Sequence, residues 1–143
     1  PTEASILTME EKALAGRVKN VYAHRSGGCK YMAVIHFAKR VPSDEGRQRQ
    51  AALIALTAFP ELKHVIVVDE DVDIFDSDDV LWALNTRYQG DVDTITIPGV
   101  RCHPLDPTEG PEYNPVPYGL KDRFQRSKFK EVNMEDYEIR PLV

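Results

Sequence analysis

Seven carboxylates crowd into the eleven positions from Asp69 to Asp79 of this 143-residue chain: Asp69, Glu70, Asp71, Asp73, Asp76, Asp78 and Asp79. Clustered acids can hold a divalent cation, move protons or cap helices, and spacing separates these uses. Asp69, Asp71 and Asp73 have the one-three-five spacing of a calcium loop. That loop also requires Gly at its sixth position and a bidentate Glu at its twelfth, where this chain has Ile74 and Val80. A phosphorelay receiver likewise ends a strand with paired acids. There they follow the first strand, and too little regular sequence remains after Asp73 for the later Asp, Thr and Lys. Helix capping plus a solvated acidic turn accounts for the cluster without a metal. Asp76 or Ser77 caps a helix, and Asp78 and Asp79 lie in its first turn, where the helix dipole favours negative charge.

Other reactive side chains are scattered. Lys39, beside Arg40, ends an apolar run, where a cation either holds a phosphate as a point charge or closes a strand as an exposed charge. His36 lies within that run and reads as a core or interface histidine. His24 and His64 have no partner at ligand spacing. Cys102 and His103 are adjacent, and neither C-x-x-C nor H-x-x-x-H occurs, so no zinc site is expected. Gly27-Gly28 is a turn, not a phosphate-binding motif. Lys121–Lys130 interleaves five cations with Phe124 and Phe129, which suits an RNA-binding arm or docking on an acidic surface such as this chain supplies.

The elements that would position these residues follow from periodicity. Thr2 or Ser5 opens a helix to about Ala15, ended by Gly16. Val18–His24 and Tyr31–Ala38 read as strands, separated by the Ser26-Gly27-Gly28 turn. Pro42-Ser43 starts a helix to about Phe59 with Ala52, Leu53, Leu56 and Phe59 at helical spacing. His64–Asp69 is a strand apolar on both faces, which suits a parallel strand covered on both sides. The following helix buries Val80, Leu81 and Leu84, and Thr94–Ile97 reads as a fourth strand after another crossover. Seven of the ten prolines lie at or beyond Pro98, where periodicity is lost. The expectation is a three-layer α/β domain with a small, mainly parallel sheet and helices on both faces. Residues 1–98 form its core, and 99–143 an extended, proline-rich C-terminal arm.

The formal charge of −5 and pI of about 5.4 argue against general binding to nucleic acid or an anionic membrane. No apolar run approaches the roughly 20 residues of a membrane helix. Two distant cysteines, Cys29 and Cys102, fit reduced thiols and a cytoplasmic location. A start at Pro1-Thr2-Glu3 without Met reads as the interior of a longer polypeptide, or as a processed or trimmed one.

The runs Val65-Ile-Val-Val-Asp-Glu-Asp-Val-Asp-Ile-Phe-Asp76, Asp79-Val-Leu-Trp-Ala-Leu-Asn-Thr-Arg87 and Ile97-Pro-Gly-Val-Arg-Cys-His-Pro-Leu-Asp-Pro107 together resemble the UbiD family of decarboxylases. The Pro-Leu-Asp-Pro element and Pro117-Tyr-Gly-Leu-Lys-Asp-Arg-Phe124 are most similar to its hydroxybenzoate, protocatechuate and gallate branch. The resemblance covers nearly this whole chain but only the C-terminal third of such an enzyme. Between Pro115 and Val116 the relatives carry a longer segment.

The resemblance implies a non-oxidative, reversible decarboxylase of an aromatic acid, with prenylated FMN, manganese and potassium bound mostly outside this segment. It implies that carbon dioxide leaves the ring while the flavin takes up electron density and a Glu outside this chain reprotonates the ring. No catalytic or metal-ligating residue is therefore assigned here. One cofactor contact carries over: in its Ala-Val-Ile-His-Phe-Ala-Lys context, Lys39 matches the family's Lys at the flavin phosphate. The segment is expected to close one side of the flavin pocket against the N-terminal part of the same enzyme and to join subunits of a homo-oligomer. Two other classes stay open: a stand-alone structural or assembly subunit without flavin, and a receiver-like signalling domain.

Overall fold

The computed structural model describes residues 2–98, Val100 and Asp106. The chain divides into two units, Pro1–Val100 and Arg101–Val143. The expected arm over 99–143, the Lys121–Lys130 segment, Cys102-His103 and the Pro115-Val116 junction thus lie outside the described residues, apart from the isolated Val100 and Asp106.

The first unit runs α1 (Thr2–Ala13), β1 (Val18–Ala23), β2 (Met32–Phe37), α2 (Arg47–Ala58), β3 (His64–Asp69) and α3 (Ser77–Arg87). Short 3-10 turns at Arg25–Gly27 and Pro42–Asp44 precede β2 and α2. The expected helix from Pro42 is broken at Gly46, whose φ of +88° is costly for residues with a Cβ. The strands form one sheet in the order β1-β2-β3. Strands β2 and β3 are parallel, joined through α2, whereas β1 and β2 are antiparallel. The sheet is therefore mixed rather than mainly parallel. The connection from Ala23 to Met32 is too short for a crossover helix and makes a hairpin.

Side-chain alternation builds two cores. Ala33, Ile35 and Phe37 of β2 point to one face, where they pack with Ile6 and Leu14 of the α1 region and Ala51 and Ala55 of α2. The fully buried alanines let α2 lie close on the sheet, while Leu53, expected inside, is exposed. Val34 of β2 and Val68 of β3 point to the other face, beneath Val72, Ile74, Val80 and Ala83. Helices thus cover both faces, giving three layers. In β1 the register shifts between Val18 and Asn20. This bulge lets Val18 and Val21, an odd number of residues apart, enter the same core.

The path after β3 departs from a simple crossover. Phe75 packs on Tyr22 of β1, with ring centroids 5.3 Å apart, and Ser77 bonds His24 just beyond β1. At the other end of α3, Arg87 reaches Asp69 and Asp71 at the carboxyl end of β3. Residues 70–76 therefore run back across the sheet face as a strap, and α3 returns along it in the direction of β3. Leu81, expected inside, is consequently outside, and Ala83 is buried in its stead.

The same path excludes the expected fourth strand. Thr94–Ile97 forms no ladder, and Ile95 and Ile97 are each 44% exposed. The chain leaves α3 at the carboxyl end of β3 and enters a tight turn, in which the Asp93 N–H donates to the Gln89 carbonyl at 2.8 Å. A strand parallel to β3 would have to begin about 20 Å away, at the other end of a six-residue strand.

Candidate functional site at the carboxyl edge of the sheet

The parallel pair β2 and β3 ends at Phe37 and Asp69, and charged residues follow both strands. In an open α/β sheet this edge is the usual position of a site. Arg40 Nη1 and Nη2 pair with the two carboxylate oxygens of Glu70 at 2.9 and 3.1 Å, tying the segment after β2 to that after β3. Arg87 makes the equivalent fork with Asp71 at 2.8 and 2.7 Å and stacks over the Trp82 ring. The hydrogen bonds from Arg87 hold the Asp71 carboxyl below its ordinary range.

Beneath this rim lies Asp44, fully buried. Its Oδ2 accepts from the Arg40 N–H at 2.8 Å, the Val41 N–H at 3.1 Å and Arg17 Nε at 2.9 Å. The Arg40 N–H above all, with those of Val41 and Arg17, holds the carboxyl down at about 2 against the cost of burial. The loop carrying Lys39 and Arg40 is thereby pinned from below.

Lys39 lies two residues beyond the end of β2, with its side chain 41% exposed and its Nζ 2.8 Å from Glu45 Oε2. Glu45 also accepts from Gln48 at 3.0 Å, and these bonds, that from Lys39 foremost, lower its pKa. Lys39 lines an open cleft of about 650 Å³ that runs along the free edge of β3, with Leu53 and Leu56 on one side and Leu84 on the other. An exposed ion pair of this kind contributes only about 0–1 kcal/mol, so an arriving phosphate can replace Glu45 at little cost. One phosphate contact by a point charge fits the residues present.

The acidic run does not form one site. Asp69, Glu70 and Asp71 stay at the carboxyl edge. Asp76 caps α3 by accepting from the Asp78 N–H at 2.9 Å, Asp73 accepts from the Phe75 N–H, and Asp79 from the Asp73 N–H. Among the described residues no three His, Cys, Asp or Glu side chains converge in a way that could hold a metal ion, so the described residues do not fit a manganese site. His36 is half-buried on β2, with Nε2 buried and unpartnered. His24 joins two elements: Nδ1 accepts from the Ser26 N–H at 3.1 Å, and Nε2 lies 2.8 Å from Ser77 Oγ. Nδ1 also lies 2.7 Å from Ser26 Oγ, so the ring ties the turn after β1 to the start of α3.

Sequence reasoning passed over Asp44, Arg17 and the two arginine forks, which join residues 16 to 30 positions apart. It also passed over Glu10 of α1, fully buried, four residues from Ile6 and from Leu14 just beyond the helix, with neither carboxylate oxygen bonded. Its four-residue spacing from both neighbours was a legible signal.

Residues 1–123 match the family of the 3-octaprenyl-4-hydroxybenzoate carboxy-lyase C-terminal domain. The chain is 48% identical over 149 aligned residues to a gallate decarboxylase from Lactiplantibacillus plantarum, covering 92% of this chain and 30% of that protein. The apo structure of a 3,4-dihydroxybenzoic acid decarboxylase from Enterobacter cloacae superposes with a TM-score of 0.76 at 51% identity, over 95% of this chain and 31% of that one. The UbiD-class enzyme HmfF from Pelotomaculum thermopropionicum, solved in complex with FMN, gives 0.70 at 37% identity over 76% of this chain and 23% of that one. An evolved dimeric form of HmfF was solved with prFMN. The chain thus spans about 30% of the length of the gallate decarboxylase it matches.

Proposed function

The chain belongs to the UbiD carboxy-lyase family as its C-terminal domain, and from that premise we propose that it is the rear part of a non-oxidative, reversible decarboxylase of a hydroxybenzoate-type aromatic acid. One observation carries the choice of substrate class: identity near one half extends over 92–95% of this chain in a gallate and a dihydroxybenzoate decarboxylase. Prenylated FMN, when bound, supplies an electron-accepting ring for the loss of carbon dioxide.

The part played by this chain is binding and positioning. Lys39 exchanges Glu45 for the flavin phosphate, leaving Glu45 to Gln48. The Arg40–Glu70 fork and the buried Asp44 keep the Lys39 loop in place, so the ammonium is presented without a large ordering cost. The domain closes one side of the flavin pocket against the N-terminal part of the same polypeptide and joins subunits. Manganese and potassium belong to the whole enzyme, bound mostly outside this segment, and the enzyme works in the cytoplasm.

The test is decarboxylation by the full-length polypeptide loaded with prenylated FMN, read as carbon dioxide release from 3,4-dihydroxybenzoate and gallate. Turnover of at least one is expected. No turnover of any hydroxybenzoate, with flavin bound and a non-aromatic acid consumed, overturns the substrate class.

A further inference from the structure

Both ends of the Lys39 loop are held by one residue. Gly16, with a φ of +72°, turns the chain out of α1 and toward β1. Arg17 therefore stands opposite Ala38, one step beyond the Val18–Phe37 pair of the β1–β2 ladder. Its carbonyl accepts from the Ala38 N–H at 2.8 Å. Its side chain donates from Nε to Oδ2 of the buried Asp44 at 2.9 Å. The same oxygen takes the N–H groups of Arg40 and Val41. Ala38 is thus fixed by the backbone of Arg17, and Arg40 and Val41 by its side chain acting through Asp44. Lys39 lies between these two anchors.

Closure of the Val41–Asp44 turn accounts for the bond from the Val41 N–H to Asp44, and for that from the Asp44 N–H to the Val41 carbonyl at 2.9 Å. It does not account for a guanidinium brought in from 27 positions away, on a residue that also holds Ala38. We propose that Arg17 is a positioning residue for the phosphate contact, a two-point clamp that sets the Lys39 backbone before the flavin arrives. This role deepens the proposed function and rests on Lys39 as the phosphate ligand. An ammonium on a free loop gives up backbone freedom when it binds. For one residue that loss is worth roughly five- to thirtyfold in an equilibrium constant. The clamp takes the loss during folding, while the Lys39 side chain, 41% exposed, keeps the freedom to exchange Glu45 for phosphate. Because Asp44 precedes Glu45, the same clamp also steadies the carboxylate that Lys39 leaves.

FMN titrated into the flavin-free full-length polypeptide, followed by its fluorescence, tests the clamp. The carbonyl limb survives any substitution, so variants read the side-chain limb. Arg17→Met keeps the stem and removes the donor. It should bind FMN about five- to thirtyfold more weakly than the parent, and no more weakly than Lys39→Ala. Arg17→Lys returns a cationic donor to Asp44 from a side chain already 25% exposed, and should recover most of the loss. In a Lys39→Ala background, Arg17→Met should change FMN affinity by less than about twofold, because the clamp then has nothing to present. An equal loss in that background overturns the clamp, since it marks a general structural role. Unchanged affinity in Arg17→Met overturns it as well. If circular dichroism shows Arg17→Met unfolded, Arg17→Gln takes its place in the same comparisons, with the same outcomes deciding. A Lys39→Ala protein that binds FMN as the parent does sinks the phosphate reading itself, a separate result.

Discussion

The Lys39 ammonium, 41% exposed and held by one carboxylate, makes a single-residue test of the cofactor reading. A charge-assisted phosphate contact contributes about 1.5–3 kcal/mol, roughly a ten- to hundredfold change in affinity. Lys39→Ala in the full-length enzyme should purify with clearly less flavin per protein, read from its absorbance, while its melting temperature stays close to that of the parent. Equal flavin content in variant and parent counts against the assignment. Glu10 makes the opposite kind of test. Burial alone raises its pKa from 4.5 to about 8. A carboxyl that binds its proton more tightly when folded stabilises the fold most below its unfolded value. That contribution disappears as pH rises from about 4.5 to about 8, at about 1.4 kcal/mol per unit of pKa difference. Glu10→Leu should therefore melt higher than the parent at the upper end of this window and show a flatter stability profile across it. A parallel profile in thermal melts would show that Glu10 is not the titrating group.

At the scale of elements, the β3–α3 unit shows how one sequence pattern serves two purposes. Val72 and Ile74 alternate with Asp71 and Asp73, as in a half-buried extended segment. Their burial beside Val34 and Val68 draws the strap across the sheet, and the intervening acids are left to cap and to pair. Asp76 then starts α3. Asp76→Ala removes the acceptor for the Asp78 N–H and should destabilise the domain by about 1 kcal/mol, measured by urea unfolding. Asp78→Ala, which removes no cap, should cost visibly less. Equal losses would indicate that the attraction of both acids to the helix dipole, not the cap, governs this turn. The helix start, the three strands and the hairpin turn were legible as local patterns. Strand direction at β1–β2 was also legible, since the connection is too short for a crossover. The missing fourth strand was not, because Thr94–Ile97 has the β-branched alternation of a strand and only the exit point of α3 prevents the pairing.

At the scale of the whole molecule, the chain spans about 30% of the length of the gallate decarboxylase it matches. No helix among the described residues is long and apolar enough to cross a membrane, and the acidic run is divided among a helix cap, turns and arginine forks. The isolated chain is expected to release no carbon dioxide from 3,4-dihydroxybenzoate even with prenylated FMN added. Turnover by it alone would mean that a catalytic group lies within these residues. The sequence by itself determined the periodicities, and with them the three helices and three strands, though not the absence of a strand at Thr94–Ile97. It also determined the motifs that tie the chain to its family, since both depend on residues close together along the chain. Only the tertiary structure decided where the seven carboxylates go, which arginines meet them, and that Lys39 faces Glu45 at the mouth of a cleft. Those pairings depend on where the chain returns after each element, and burial of Val72 and Ile74, not any property of the charged residues, sets that course.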